Sequence, residues 1–284
     1  MPHTAIITDT DSSLPPELAK KYAIAQVPIV IQFGNESFRA VYDIDDAATF
    51  ERVDREGRIP TTAAPSPGEF VAAYQAAFDR GADSILVFTI SSEMSAVFSA
   101  ARTAAGQFPD RDIRVIDTRM VSLGEGFMVL AAAQALEKGA SIQEAVDAAE
   151  ALCERTFLFG ALATLKYLAM SGRVGQVAAG LAAVLDVKPI LSVQNGKLDL
   201  LERVRTQGKS WARTIELASE AAAGRKVERL GILHVNALES ARQFEAQLRA
   251  SLPDLPEAVY TEMTPGLSVH SGTGWVGLVI VVEG

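Results

Sequence analysis

The sequence predicts an α/β protein with an N-terminal doubly wound parallel-sheet domain and a C-terminal two-layer α+β domain. Three observations predict it. Apolar, β-branched runs at Thr4–Thr8, Ser84–Ile90 and Ile113–Ile116 alternate with helix-spaced segments, as βαβ units do. After Thr156 the rhythm changes, and two strand-like runs flank Asn195-Gly196, a hairpin signal. The chain of 284 residues is long for one core and comfortable for two. The expected domains are residues 1–157 and 158–284.

Thr4-Ala5-Ile6-Ile7-Thr8 reads as a buried strand ending in the polar turn Asp9-Thr10-Asp11-Ser12-Ser13. Leu14-Pro15-Pro16-Glu17 opens a short helix. Val27 to Phe33 reads as a second strand with Pro28 near its start, and Gly34-Asn35 turns the chain. A helix is expected around Ala47 to Glu56, then an extended loop over Pro60-Thr61-Thr62-Ala63-Ala64-Pro65. Capping boxes are expected at Ser66–Glu69, Ser122–Glu125 and Ser141–Glu144, each opening a helix.

The chain is organised around Ser84–Ala101. A continuously apolar strand delivers Ser91, Ser92 and Ser95 to a turn, after which Met94, Val97, Phe98 and Ala101 recur at helical spacing. Hydroxyls and unpaired N–H groups at a helix start favour an anion; equally, Ser92 or Ser95 can cap its own helix. In the second half, strands are expected at Thr156–Leu162, Lys188–Val193, Lys197–Leu201, Leu230–Val235, Ala258–Glu262 and Trp275–Val282. A small-residue helix is expected over roughly 176–185.

Composition narrows the function. Net charge is −9, from 26 basic and 35 acidic residues without a basic block, which argues against nucleic acid or an anionic membrane as partner. The one cysteine, Cys153, and three histidines leave too few ligands for a thiolate or transition-metal site. No apolar run approaches a membrane span, and Met1-Pro2-His3-Thr4 lacks the regions of a signal peptide, so a cytoplasmic protein is expected.

Four motifs carry candidate chemistry. Gly272-Thr273-Gly274-Trp275-Val276-Gly277 spells the dinucleotide fingerprint but precedes a β-rich run instead of a helix; its glycines better serve a close approach to a ligand or another segment. Asp9 and Asp11 after the first strand resemble the start of Mg²⁺-dependent haloacid-dehalogenase-type phosphatases, although Asp45-Asp46 comes too early for that family's late acidic pair and Leu230 to Asn236 carries no acid. The alternative is an aspartate-rich turn satisfying its own backbone. His270, in a predicted glycine-rich loop, reads as a structural residue or a site residue, and Arg173 between two glycines as a surface arginine or a binder of carboxylate or phosphate. No Gly-x-Ser-x-Gly elbow is present.

Taken together, these stretches resemble the bacterial DegV family, the fatty-acid-binding subunits of fatty acid kinase. The resemblance rests on Thr8-Asp9-Thr10, Val27-Pro28-Ile29, Thr62 with Pro65-Ser66-Pro67, and Ile90-Ser91-Ser92 with Ser95. It continues through Ile116-Asp117-Thr118, Ser122-Leu123-Gly124-Glu125-Gly126, Ser171-Gly172-Arg173, Lys188-Pro189-Ile190-Leu191 and His270-Ser271-Gly272-Thr273-Gly274. Ala63 and Val97 stand where the family pattern carries hydroxyls. The resemblance implies a lipid-binding carrier rather than an enzyme, with a long-chain fatty acid between the two domains and no cofactor or metal. Thr62 and the serines Ser91, Ser92 and Ser95 would hold the carboxylate, with His270 and Gly272 nearby. Arg173 would sit at the mouth, where a separate ATP-dependent kinase subunit docks and makes the acyl phosphate. The apolar, small-residue segments Phe157 to Leu165 and Val177 to Leu185 would suit tunnel walls or ordinary core packing.

Overall fold

A computed structural model of the chain describes residues 3–164, 167–168 and 187–284. Its first sheet contains β1 (Thr4–Asp9), β2 (Ala25–Val27), β6 (Ser84–Thr89) and β7 (Asp112–Asp117), in the order β2-β1-β6-β7 and parallel throughout. All six residues of β6 are buried, which follows from its continuously apolar sequence and its central place. Helices α3 (Pro67–Asp79) and α4 (Val97–Ala105) pack on this sheet, as does α5 (Leu123–Glu137), which also packs on α6 (Ile142–Glu150). The carboxyl ends of β1, β6 and β7 lie on one rim, as the alternating pattern requires.

The expected strand Val27–Phe33 is two strands. Pro28 has no N–H to give a ladder, and the Ile29 N–H turns instead to Thr10 Oγ1 at 3.0 Å. Beyond that break, β3 (Val30–Phe33) joins β4 (Glu36–Arg39) and β5 (Thr61–Ala63) in a separate antiparallel sheet ordered β4-β3-β5. The proline-flanked loop around Thr62 is therefore an edge strand, and α2 (Asp46–Glu56) connects β4 to it.

The third sheet has six strands, β8 (Thr156–Ala161), β9 (Lys188–Gln194), β10 (Lys197–Val204), β11 (Val227–His234), β12 (Ala258–Glu262) and β13 (Val276–Val282). Their order is β10-β9-β8-β13-β11-β12, antiparallel except for the β11–β12 pair. Side-chain alternation splits its two faces. Phe159, Leu278, Ile280 and Ile232 pack with the helices Gln207–Ala222 and Leu238–Ser251; Leu158, Val279, Val281 and Leu233 join the core of the first half. Helix α5 reaches both sheets, packing on β1 and β6 and on β8 and β11, and Leu123 to Ala133 are all buried. At Gly231 of β11, an added Cβ would lie 2.8 Å from Leu123 Cδ1, so glycine sets that approach. The first half covers the face of this sheet opposite those two helices.

Two of three capping boxes form. Ser66 and Ser141 each accept from the N–H of a glutamate three residues on, and those carboxylates return to the serine N–H groups. Ser122–Glu125 does not: Ser122 makes no cap hydrogen bond, because Glu125 is fully buried and accepts from Thr8 Oγ1 at 2.7 Å. Neither Ser92 nor Ser95 caps α4, whose N-cap is Ala96 without a side-chain bond. The segment around His270 is a helix, Pro265–Ser271, and not a loop. Pro265 presets its first turn, and the Ser268 N–H closes onto Thr264 O at 2.9 Å.

Candidate functional site

A cavity of about 340 Å³ lies where the rim of the first sheet, strand β5, the six-stranded sheet and the helix Pro265–Ser271 meet. Its volume falls within the range of small-molecule sites. Most of its wall is aliphatic: Ile29 and Ile90 come from the first half, Leu158, Leu191, Leu198 and Leu233 from the third sheet, with Met94, Met263 and Trp275. The polar wall is small and consists of Asp11, Thr62, Ser95, Ser122, His270 and Ser271.

Thr62 is brought to the wall by the pairing of β5 with β3, where it stands opposite Ile31. Its Oγ1 lies 3.1 Å from His270 Nε2, a contact between residues 208 apart in sequence. Either atom can be the donor, depending on the imidazole tautomer. Both residues are half-buried, so the pair is held by the fold while still facing the cavity.

The serines separate. Ser95 is half-buried on the wall, in the turn whose Met94 and Ser95 N–H groups both donate to Ser91 O. Ser92 is exposed and points elsewhere: its hydroxyl donates to Asp117 Oδ2 at 2.5 Å and its N–H to Asp117 Oδ1 at 3.1 Å. Ser91 is fully buried, and its hydroxyl donates to Gly196 O at 2.6 Å, tying the β9–β10 hairpin tip to the rim. Arg119 adds a second tie through Asn195 O at 2.8 Å.

Asp9 behaves as the satisfied turn. It is fully buried, Oδ1 accepts from the Asp11 N–H and Oδ2 from the Ile90 N–H, both at 2.9 Å. Burial pushes its carboxyl up to about 7 against the lowering effect of those bonds. Each carboxylate oxygen of Asp9 thus accepts a backbone N–H, the arrangement of an aspartate turn that satisfies its own backbone. Asp11 lines the cavity, where it accepts from Thr264 Oγ1 at 3.1 Å. No group of three or more His, Cys, Asp or Glu that could hold a metal occurs among the described residues. No described helix is long and apolar enough to cross a membrane.

A family model described as "Uncharacterised protein, DegV family" matches residues 3–283. The chain belongs to the DegV family. A DegV domain-containing protein of Mycobacterium tuberculosis is 36% identical over 279 residues, 98% of this chain and 96% of its own. Among solved structures, a fatty-acid-binding DegV family protein from Thermus thermophilus superposes with a TM-score of 0.92 at 30% identity, covering 99% of this chain and 100% of that one. DegV of Bacillus subtilis, described as a fatty acid binding protein, superposes with a TM-score of 0.89 at 27% identity over the full length of both chains. The mixed architecture, a parallel sheet in the first half and a separate mixed sheet in the second, is that of these DegV structures.

Of the residues singled out in this DegV chain, the fold brings Thr62, Ser95 and His270 to one cavity and turns Ser91 and Ser92 to other partners. Gly272 serves a close approach to another segment: at φ +83°, a Cβ there would lie 2.3 Å from Tyr167 Cδ2. Arg173, and the expected wall Val177 to Leu185, lie outside the described residues. Ser122 and Asp11 were not readable as cavity residues. Ser122 carries the letters of a capping box, and Asp11 those of a turn, and only the docking of the third sheet and the last helix makes either a wall.

Proposed function

We propose that this protein binds a long-chain fatty acid between an N-terminal unit, residues 1–157, and a C-terminal unit, residues 158–284. On this reading it presents the carboxylate to a separate ATP-dependent kinase subunit in the cytoplasm for conversion to an acyl phosphate. The observation that carries the reading is a mostly aliphatic cavity whose few polar wall residues include the Thr62–His270 pair and Ser95. The relatives from T. thermophilus and B. subtilis, described as fatty-acid-binding, support it. The energetics divide the work. A buried methylene contributes about 0.8 kcal/mol, so an acyl tail supplies roughly 10 kcal/mol before ordering costs. Each hydrogen bond to the carboxylate adds about 1.5–3 kcal/mol. The tail sets affinity and the hydroxyls choose the head group. The glycine run Gly272–Gly277 leads into β13 and not into a helix, which fits an ATP chemistry supplied by a partner.

Native mass spectrometry of the purified protein, followed by organic extraction, tests the carrier directly. A co-purifying long-chain fatty acid is expected; protein that stays lipid-free after incubation with palmitate or oleate refutes the reading. Thr62→Ala combined with Ser95→Ala is expected to weaken palmitate binding at least tenfold, whereas Ser92→Ala leaves it unchanged. The reverse pattern would move the head group to Ser92. With a kinase subunit added, Arg173→Ala is expected to lower acyl phosphate formation far more than lipid binding. Equal loss of both would make Arg173 a ligand contact.

A further inference from the structure

The cavity contains a hydroxyl that the reading above leaves unused. Ser122 is fully buried and lines the cavity, and its Oγ has no hydrogen-bond partner among the described residues. Its backbone stands at φ +52° and ψ −142°, a region that residues with a Cβ occupy only at a cost. Two bonds hold it there: its N–H donates to Asp11 O at 2.8 Å, and its carbonyl accepts from the Gly126 N–H at 2.9 Å. Asp9 accepts from two backbone N–H groups and Glu125 Oε1 from Thr8, and neither carboxyl is bonded to Ser122 Oγ. Glycine would fit this backbone without strain and leave no orphan. A serine here carries two costs, an unpaired buried hydroxyl and a strained conformation, and neither repays anything inside the protein.

We infer that Ser122 Oγ donates a hydrogen bond to a head-group oxygen of the bound acyl ligand, which makes it a specificity-determining residue for an oxygen-bearing head. The inference rests on the fatty-acid reading. Helix α5 begins at the next residue, so its first-turn N–H groups and dipole add to the same preference. The Asp11 carboxyl on the same wall accepts from Thr264 Oγ1.

The test uses delipidated full-length protein titrated with palmitate by native mass spectrometry, alongside thermal unfolding without ligand. For Ser122→Gly, the lipid-free unfolding midpoint should equal or exceed that of the wild type, because strain and the orphan are both removed. Its palmitate affinity should be at least tenfold weaker. Ser122→Ala should show the same loss of affinity, removing the orphaned hydroxyl but keeping the strained backbone. Palmitate binding within twofold of wild type in the glycine variant overturns the inference while leaving the carrier intact. A lower midpoint accompanying the lost affinity also overturns it, since Ser122 would then be structural. A wild-type protein that binds no palmitate overturns the carrier reading itself.

Discussion

Gly160→Ala is expected to destabilise the protein by about 1–3 kcal/mol and to remove most of its capacity for ligand in the same step. Gly160 of β8 stands directly opposite Gly277 of β13, and the Trp275 indole lies across the pair. An added Cβ at Gly160 would lie 2.1 Å from Trp275 Cζ2, and one at Gly277 would lie 2.4 Å from Cη2. No real Cβ tolerates such distances, so something must move. Strands β8 and β13 are interior to the six-stranded sheet and bonded on both sides, which leaves the ring as the movable part. Trp275 is buried against the cavity, so its displacement fills cavity space. Urea unfolding and palmitate loading of the variant measure both effects. Adding Trp275→Phe should recover part of each, because the smaller ring leaves room for the methyl, and the two substitutions should be non-additive. Wild-type loading by the single variant would mean that the glycine pair does not set the cavity floor.

The local signals of this chain were legible wherever one segment decides its own structure. The capping boxes at Ser66 and Ser141 form because both partners sit within four residues on exposed helix starts. The letters at Ser122–Glu125 are equivalent, yet Thr8, 117 residues away, claims the glutamate. Pro28 reads as a mark in a strand, but its effect, sending β2 and β3 to different sheets, depends on Thr10 taking the next N–H. The same logic applies to the site. Spacing alone leaves Ser92 and Ser95 equivalent; in the fold Asp117, at the end of a neighbouring strand, accepts from Ser92 while Ser95 lines the cavity. Thr62 and His270 came forward through family resemblance, because nothing near either residue encodes their approach. That approach needs β5 to pair with β3 and the last helix to dock between the halves.

Lipid-free protein is expected to lose stability between about pH 4 and pH 7 as pH rises, opposite to the usual behaviour of paired surface acids. Burial raises the carboxyls of Asp9 and Asp46 to about 7 and that of Glu125 well above its ordinary value. A carboxyl whose folded-state pKa is raised binds its proton more tightly in the native state. Its contribution is therefore fully present below the unfolded value of 3.8 for aspartate and is lost as pH climbs to the folded value. The scale is on the order of 4 kcal/mol for each aspartate across that window. Asp43 works in the other direction, since Arg39 holds it at about 2, but its contribution is lost only as pH falls below about 4. His234 opposes the trend within the window, because burial disfavours its protonated form, yet it is one group against three. Asp46 separates the cause cleanly. Its Oδ1 accepts from Ser268 Oγ while its buried Oδ2 has no hydrogen-bond partner among the described residues. Asp46→Asn keeps an acceptor for Ser268 and removes the charge, so it should raise the unfolding midpoint at pH 8, leave it nearly unchanged at pH 5, and flatten the slope between them. A wild-type midpoint that rises from pH 5 to pH 8 would mean that these carboxyls ionise freely, with water or backbone donors reaching them in solution.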